Sequence, residues 1–90
     1  MLVSQTIHEL EHEYLRTLYE LAGKRAKSAV SYGDVRLESG LSEEETERAC
    51  DFWADRGIVE WSAFGHVALT HVGLRRAQHL ANRGWCFGPF

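Results

Sequence analysis

The chain has 90 residues, of which 44% are hydrophobic and 26% are charged, and this balance is typical of a single globular domain. It contains no apolar run of about eighteen residues and no signal-peptide pattern, which predicts a soluble, cytoplasmic protein that binds no membrane. Cys50 and Cys86 are far apart and stand outside any CxxC pair, which argues against a disulfide framework or a zinc knuckle. We expect both to be reduced thiols.

The net charge of −3 is unevenly distributed along the chain. Residues 42–56 hold six carboxylates and two arginines, a local net charge of −4, and the rest of the chain sums to +1. A negative protein is unusual among nucleic-acid binders, because contacts to phosphate supply most of their non-specific affinity. The acidic segment is therefore the first feature that bears on function.

The amino-terminal part predicts a helix followed by a short strand. Thr6 with Glu9 three residues later is a capping-box pattern, and apolar residues then recur at helical spacing, which predicts a first helix over residues 7–22 that ends at Gly23. Residues 29–30 then predict the strand.

Two further helices follow in close succession. Ser31 with Asp34 predicts the start of a second helix that buries Val35 and Leu37 and stops at Gly40. A capping pair at residues 42 and 45 starts the third helix, which ends at residue 57 with Ile58 folded back over Trp53. Its apolar stripe has helical spacing and comprises Thr46, Ala49, Cys50, Trp53 and Ala54.

The last part of the chain predicts a hairpin and a fourth helix. Residues 59–61 and 67–69 read as antiparallel strands, Thr70 caps the helix, and Gly84 ends it with Trp85 folded back on Leu80. The expected fold class is α+β, mostly helical, in the order helix, short strand, helix, helix, hairpin, helix. We expect one domain over residues 1–84 and an aromatic carboxy-terminal tail over residues 85–90.

Three segments carry a family resemblance: the turn ESGLS at residues 38–42, the helix ending DRGIVE at 55–60, and LTHVGL at 69–74. With the order of elements, they resemble the winged helix-turn-helix regulators of the MarR and ArsR type over residues 7–83. The resemblance implies that the hairpin is the wing and that the third helix is the recognition helix, whose early exposed residues enter the major groove of DNA.

In this chain the recognition positions implied by the resemblance are Glu43, Glu44, Glu47 and Arg48. A glutamate can accept a hydrogen bond from cytosine, but three carboxylates repel the phosphates that line the groove. The tip of the implied wing, which includes Phe64 and His66, carries no lysine or arginine to hold a DNA backbone. Both features depart from the family pattern.

The remaining candidates for phosphate binding are cations outside the third helix. Lys24, Arg25 and Lys27 precede the amide groups at the start of the second helix at Ser31, and a helix amino terminus favours anions. Arg36 and Arg48 are expected nearby. The alternative for the first three is a solvated loop. Three more arginines lie on the fourth helix, which in the family faces away from DNA: Arg75, Arg76 and Arg83.

Two functions therefore stand side by side. The first is a DNA-binding module of the transcription-regulator kind, with double-stranded DNA as partner. The alternative is a protein-interaction module that docks a basic partner through the acidic third helix. The carboxylates of Glu43, Glu44 and Glu45 also have a local explanation, since negative charge in a first turn favours the helix dipole.

Catalytic and metal-binding patterns are weak. His8 and His12 are four residues apart, a spacing that suits zinc, but a metal site needs further ligands, and with Glu9 and Glu11 they predict a solvated polar face. No histidine stands beside a nucleophile in a recognisable motif, so we expect no enzyme, no cofactor and no metal.

Large aromatic side chains concentrate near the carboxy terminus, at Trp85, Phe87 and Phe90. Together with Phe64 they either cover a small core or form a patch for self-association. A homodimer is therefore possible from the sequence.

Overall fold

The computed structural model describes residues 2–62 and 64–85, with side chains from residue 9 onward. In this part of the chain the protein has a small α+β fold with four helices and one three-stranded antiparallel sheet. The elements in chain order are α1 (Leu2–Leu21), β1 (Val30–Ser31), α2 (Tyr32–Ser39), α3 (Glu43–Asp55), β2 (Val59–Trp61), β3 (His66–Leu69) and α4 (His71–Asn82).

Helix α1 begins earlier than predicted. It already includes Leu2, so Thr6 lies inside the helix and the predicted capping position is wrong. The residues before Thr6 include no proline or glycine that would stop a helix from extending towards the amino terminus. The helix ends at Leu21, close to its predicted end.

Helix α2 departs from the prediction in what it buries. Ser31 is its N-cap residue, but the side chain makes no capping hydrogen bond, and Ser31 also belongs to β1, one residue beyond the predicted strand. Val35 is fully buried, as expected, whereas Leu37 is 68% exposed. Two residues along a helix is about 200° of rotation, so Val35 and Leu37 point to opposite sides and cannot both face the core.

Helix α3 confirms its predicted start. The Ser42 hydroxyl accepts a hydrogen bond from the Glu45 amide at 3.1 Å, and the Ser42 amide donates to the Glu45 carboxylate at 2.9 Å. This reciprocal capping box satisfies two amide groups that the helix itself leaves without partners.

The end of α3 is the predicted Schellman motif. Gly57 has a φ of 73°, a left-handed conformation that glycine adopts without steric cost, and its amide donates to the Ala54 carbonyl at 3.0 Å. The Ile58 amide donates to the Trp53 carbonyl at 2.9 Å. Ile58 and Trp53 both belong to the core, so the turn also directs the chain into the sheet.

The sheet joins the predicted hairpin to the short strand. Strand β3 lies in the middle, antiparallel to β1 on one side and to β2 on the other. Val30 pairs with Val67, and Trp61 pairs with Val67 from the other side. The hairpin is confirmed, with β3 beginning at His66.

The start of α4 is tied to the end of α3. The Thr70 hydroxyl accepts from the Gly73 amide at 2.9 Å, which confirms the predicted cap, and it donates to the Gly57 carbonyl at 2.6 Å. One side chain therefore satisfies a helix amino terminus and a carbonyl of the preceding turn.

The end of α4 repeats the Schellman pattern. The Gly84 amide donates a hydrogen bond to the Ala81 carbonyl at 2.9 Å, and the Trp85 amide donates to the Leu80 carbonyl at 2.8 Å. The ring of Trp85 meets Tyr19 of α1 edge to face at 6.0 Å between centroids, so Trp85 packs against the core. Phe87, Phe90 and Cys86 lie outside the described residues.

The core lies between α1 and the other elements. The largest fully buried side chains are Tyr14, Leu15, Leu18, Leu69, Val35, Val67, Thr46 and Cys50. The burial of Cys50 and Trp53 confirms the predicted inner stripe of α3.

The predicted solvated face of α1 is wrong in part. Glu11 is 5% exposed, and its backbone carbonyl accepts a hydrogen bond from Trp53 Nε1 at 2.7 Å. The His12 ring meets Trp53 edge to face at 5.8 Å. The cause is that Trp53 of α3 packs on the middle of α1, which the charged residue types do not indicate.

Candidate interaction groove

A groove of about 400 Å³ opens between α3, the start of α2 and the end of β2. It is rimmed by carboxylates and walled by aromatic rings. Its lining residues, which we call the acidic groove, are Tyr32, Glu43, Glu44, Glu47, Cys50, Asp51 and Trp61.

Helix α3 supplies the charge of the acidic groove. Glu43, Glu47 and Asp51 are spaced four residues apart, so their side chains form one stripe along the exposed face of the helix. All three are exposed, and in the described part of the chain none of them forms an ion pair. Among the described residues, the lining of the groove therefore has a row of carboxylates and no cation.

Two rings from different elements form the aromatic wall. Tyr32 is the first residue of α2 and Trp61 is the last residue of β2, and their rings stack with centroids 5.4 Å apart and an interplanar angle of 28°. The Tyr32 amide donates to the carbonyl of Gly65 at 2.8 Å, which ties the start of α2 to the turn of the hairpin. Trp61 remains 53% exposed, so part of its surface is free for contact.

The inner surface of the groove is neutral. Burial raises the pKa of the Cys50 thiol, and the nearby charge of Asp51 raises it further against the opposing effect of a hydrogen bond with Tyr14. Burial likewise raises the pKa of Tyr32, with additional contributions from Cys50 and from the carboxylates of the groove. Both groups are therefore uncharged at neutral pH, and the carboxylates alone set the sign of the groove.

The predicted residues of the third helix separate into two groups. Glu43, Glu44 and Glu47 line the acidic groove together. Arg48 is exposed on the same helix but does not line it.

The predicted phosphate-binding cations lie away from the groove. Lys24 and Arg25 are exposed in the loop after α1, whereas Lys27 forms a salt bridge with Glu60 of β2, with 2.8 Å between Nζ and Oε2. Ser31 is paired with His66 in the sheet, and Arg36 lies on α2. Since Glu60 compensates the charge of Lys27, the loop after α1 is less basic than the sequence indicates.

The predicted hairpin residues also lie outside the groove. Phe64 is fully exposed at the turn, and the Nδ1 atom of His66 lies 2.8 Å from the Phe64 carbonyl oxygen. The fully exposed ring of Phe64 leaves an apolar surface at the tip of the hairpin.

Four groove residues were not predicted as site residues, and one of them, Cys50, was expected only in the inner stripe of α3. Asp51 follows Glu47 at the same four-residue spacing that separates Glu43 and Glu47, so helical periodicity in the sequence could have identified it. Tyr32 and Trp61 are 29 positions apart in the chain, and the pairing of β1 and β2 with the two sides of β3, with the tie at Gly65, brings them together.

Within residues 2–62 and 64–85, no group of three or more histidine, cysteine or acidic side chains is placed to hold a metal ion. None of the described helices combines the length and apolar character needed to cross a bilayer. The chain matched no protein-family model, no curated protein and no solved structure.

Proposed function

We propose that this chain is a winged-helix module that binds a cationic segment of a partner protein in the acidic groove. Support for the winged-helix part is the order of elements, which is the order on which the resemblance rests. Support for the docking part is the composition of the groove, which combines a carboxylate stripe with an exposed aromatic wall.

The carboxylate stripe is the observation that carries the proposal. Charges in the first turn favour the helix dipole, which accounts for Glu43 and Glu44, but the dipole effect fades beyond that turn. Glu47 and Asp51 lie further along, and like charges four residues apart destabilise a helix by about 0.2–0.5 kcal/mol per pair. A docked cation removes this repulsion, so the stripe suits binding better than it suits local stability.

The aromatic wall favours arginine over lysine in the docked segment. A guanidinium group stacks on the face of an aromatic ring and pairs with a carboxylate through two parallel hydrogen bonds. Trp61 offers a half-exposed ring beside Glu47 and Asp51. We therefore expect an arginine-rich segment to bind more tightly than a lysine-rich one.

The DNA-binding hypothesis stays a prediction, and the same surface bears on it. If α3 entered a major groove, its carboxylate stripe would approach phosphates, and two like charges about 4 Å apart repel by about 1 kcal/mol in water and by more where water is displaced. Docking of a cationic segment involves no such repulsion, because its charges are opposite to those of the stripe.

The test measures binding by fluorescence anisotropy. A short labelled arginine-rich peptide, a glutamate-rich peptide and a mixed-sequence duplex DNA are titrated with the parent chain and with the groove variant Glu43→Gln/Glu47→Gln/Asp51→Asn. We expect the parent to bind the arginine-rich peptide alone, and we expect the groove variant to bind it roughly 3- to 150-fold more weakly, because three ion pairs are lost and each is worth roughly 0.2–1 kcal/mol.

The matched control removes three other carboxylates with the same change in net charge. Glu9, Glu20 and Glu38 are exposed and lie outside the groove, so Glu9→Gln/Glu20→Gln/Glu38→Gln should keep most of the affinity. Equal loss in both variants would mean that only net charge attracts the peptide. Duplex binding by the parent that strengthens in the groove variant would favour the DNA hypothesis instead.

A further inference from the structure

A second charged surface, of opposite sign, lies at the other end of α3. It is a cleft of about 590 Å³ between the end of α3 and the exposed face of α4. Its lining residues, which we call the basic cleft, are Arg56, Ile58, Val72, Arg75, Arg76 and His79.

Helix α4 contributes four of the residues that line the basic cleft, and they lie on one face of the helix. Val72, Arg75, Arg76 and His79 follow the spacing of one helix face, and all four are exposed. The helix packs on the core through a separate stripe that includes Ala77, so the exposed stripe is not needed for folding. No carboxylate of the described residues lines the cleft.

Arg56 is held in place at the edge of the cleft. Its guanidinium carbon lies 3.6 Å from the centroid of the Phe52 ring, and its Nη1 donates to the Phe52 carbonyl at 3.0 Å. An arginine fixed in this way loses less side-chain freedom on binding than a free one. The basic cleft is therefore partly preorganised.

The two surfaces are complementary in charge and in apolar content. The acidic groove offers carboxylates around the half-exposed ring of Trp61, and the basic cleft offers arginines around Val72, which is 63% exposed. We propose that the basic cleft of one copy docks in the acidic groove of a second copy of this chain. This rests on the proposed function, because it identifies the cationic partner of the groove.

The position of the two surfaces determines the type of assembly. They share no lining residue, and Glu43 and Arg56 lie at opposite ends of α3, about 20 Å apart along the helix axis. A single contact of this kind is head to tail and leaves one groove and one cleft open, which either a further copy fills or, in a closed dimer, the same two copies fill reciprocally. We expect either open chains, whose mean length grows with protein concentration, or closed rings of fixed size, whose population grows with it.

Salt gives a first test that needs no variant. Exposed ion pairs are individually weak and are screened as ionic strength rises, so self-association should weaken at least about tenfold between roughly 50 mM and 500 mM salt. Analytical ultracentrifugation measures the mass against concentration at both salts. A parent that stays monomeric at millimolar concentration and low salt overturns self-docking.

A mixing experiment tests the two surfaces separately. The groove variant Glu43→Gln/Glu47→Gln/Asp51→Asn keeps its cleft, and the cleft variant Arg75→Gln/Arg76→Gln keeps its groove. We expect each to be monomeric alone, and we expect an equimolar mixture to form a dimer of one copy of each that grows no further. A mixture that stays monomeric, or a single variant that associates like the parent, overturns the proposal.

Controls separate this inference from the proposed function. Lys24→Gln/Arg25→Gln changes the charge as the cleft variant does but leaves both surfaces intact, so it should associate like the parent. All substituted residues are exposed, and circular dichroism checks that each variant is folded. A parent that binds the arginine-rich peptide yet stays monomeric overturns self-docking alone, whereas a parent that binds no such peptide contradicts the proposed function.

Discussion

Gly73 shows how one residue is fixed by the close approach of two elements. It lies in the first turn of α4, where Thr70 caps the helix and the backbone of Ile58 passes directly beside it. A Cβ atom at this position would come within 1.9 Å of the Ile58 carbonyl oxygen. The lack of a side chain is therefore what lets the start of α4 dock beside the Schellman turn.

The first prediction is that Gly73→Ala strongly destabilises the protein. Its backbone clash forces α4 away from Ile58 and should lower the free energy of unfolding by about 1–3 kcal/mol or more, despite the better helix propensity of alanine. Urea denaturation measures this change. Gly33→Ala in α2 is the matched control, because its Cβ would meet only the Ser31 hydroxyl at 3.8 Å, and it should stabilise slightly.

The acidic residues differ in what sequence alone establishes about them. Glu45 is explained by the capping box, which the spacing from Ser42 predicts and the hydrogen bonds confirm. Glu11 has the same chemistry but is buried, because a neighbouring helix covers it. A charged residue type therefore does not by itself reveal whether its position is solvated.

Helix α3 is the element whose local signals are most complete. A capping box starts it, a Schellman motif ends it, and the apolar stripe between them faces the core. These signals act within a few residues of each other, which is why the sequence predicted the helix closely. The opposite face, with the carboxylate stripe, is left free for binding.

The second prediction concerns the start of α3. Ser42→Ala removes the hydroxyl that accepts from the Glu45 amide, and it should cost about 1 kcal/mol of stability. The midpoint of urea unfolding reports the change. Ser62→Ala is the control, because Ser62 is exposed after β2, and a surface change of this kind is expected to stay within about 0.5 kcal/mol. If Ser42→Ala and Ser62→Ala changed the free energy of unfolding equally, the capping hydrogen bond would not be what stabilises the start of α3.

At the scale of the whole molecule, Trp53 joins α3 to α1. Its indole nitrogen donates to the Glu11 carbonyl, and its ring meets the rings of His12 and Phe52 edge to face. The contacts with Glu11 and His12 link residues about forty positions apart, so no local pattern indicates them. They fasten the inner face of α3 to α1, opposite the carboxylate stripe.

The third prediction tests this link. Trp53→Ala should cost about 3–5 kcal/mol, which a domain of this size hardly tolerates, and Trp53→Phe should cost less because it keeps most of the ring contacts. Circular dichroism during thermal unfolding measures both. Trp61→Phe is the control, since Trp61 is half-exposed and should change stability little. A Trp53→Ala melting temperature within a few degrees of the parent would contradict the core assignment.

The sequence by itself determined the elements that depend on neighbours in the chain. The caps of α3 and α4, their Schellman endings, the hairpin and the inner stripe of α3 all follow from interactions within a few residues, and the α+β class follows from the order of the elements. Predictions of which helix residues face solvent were wrong at two positions. Leu37 was expected to be buried and is exposed, whereas Glu11 was expected to be solvated and is buried.

Only the tertiary structure decided which surfaces these elements form together. The pairing of β1 with β3, the stack of Tyr32 on Trp61, the salt bridge between Lys27 and Glu60 and the cleft around Arg56 all join residues distant in sequence. Their positions depend on how helices and sheet pack, and packing is set by the summed burial of many side chains rather than by any local pattern. The carboxylates could be read from the chain, but the groove that they line could not.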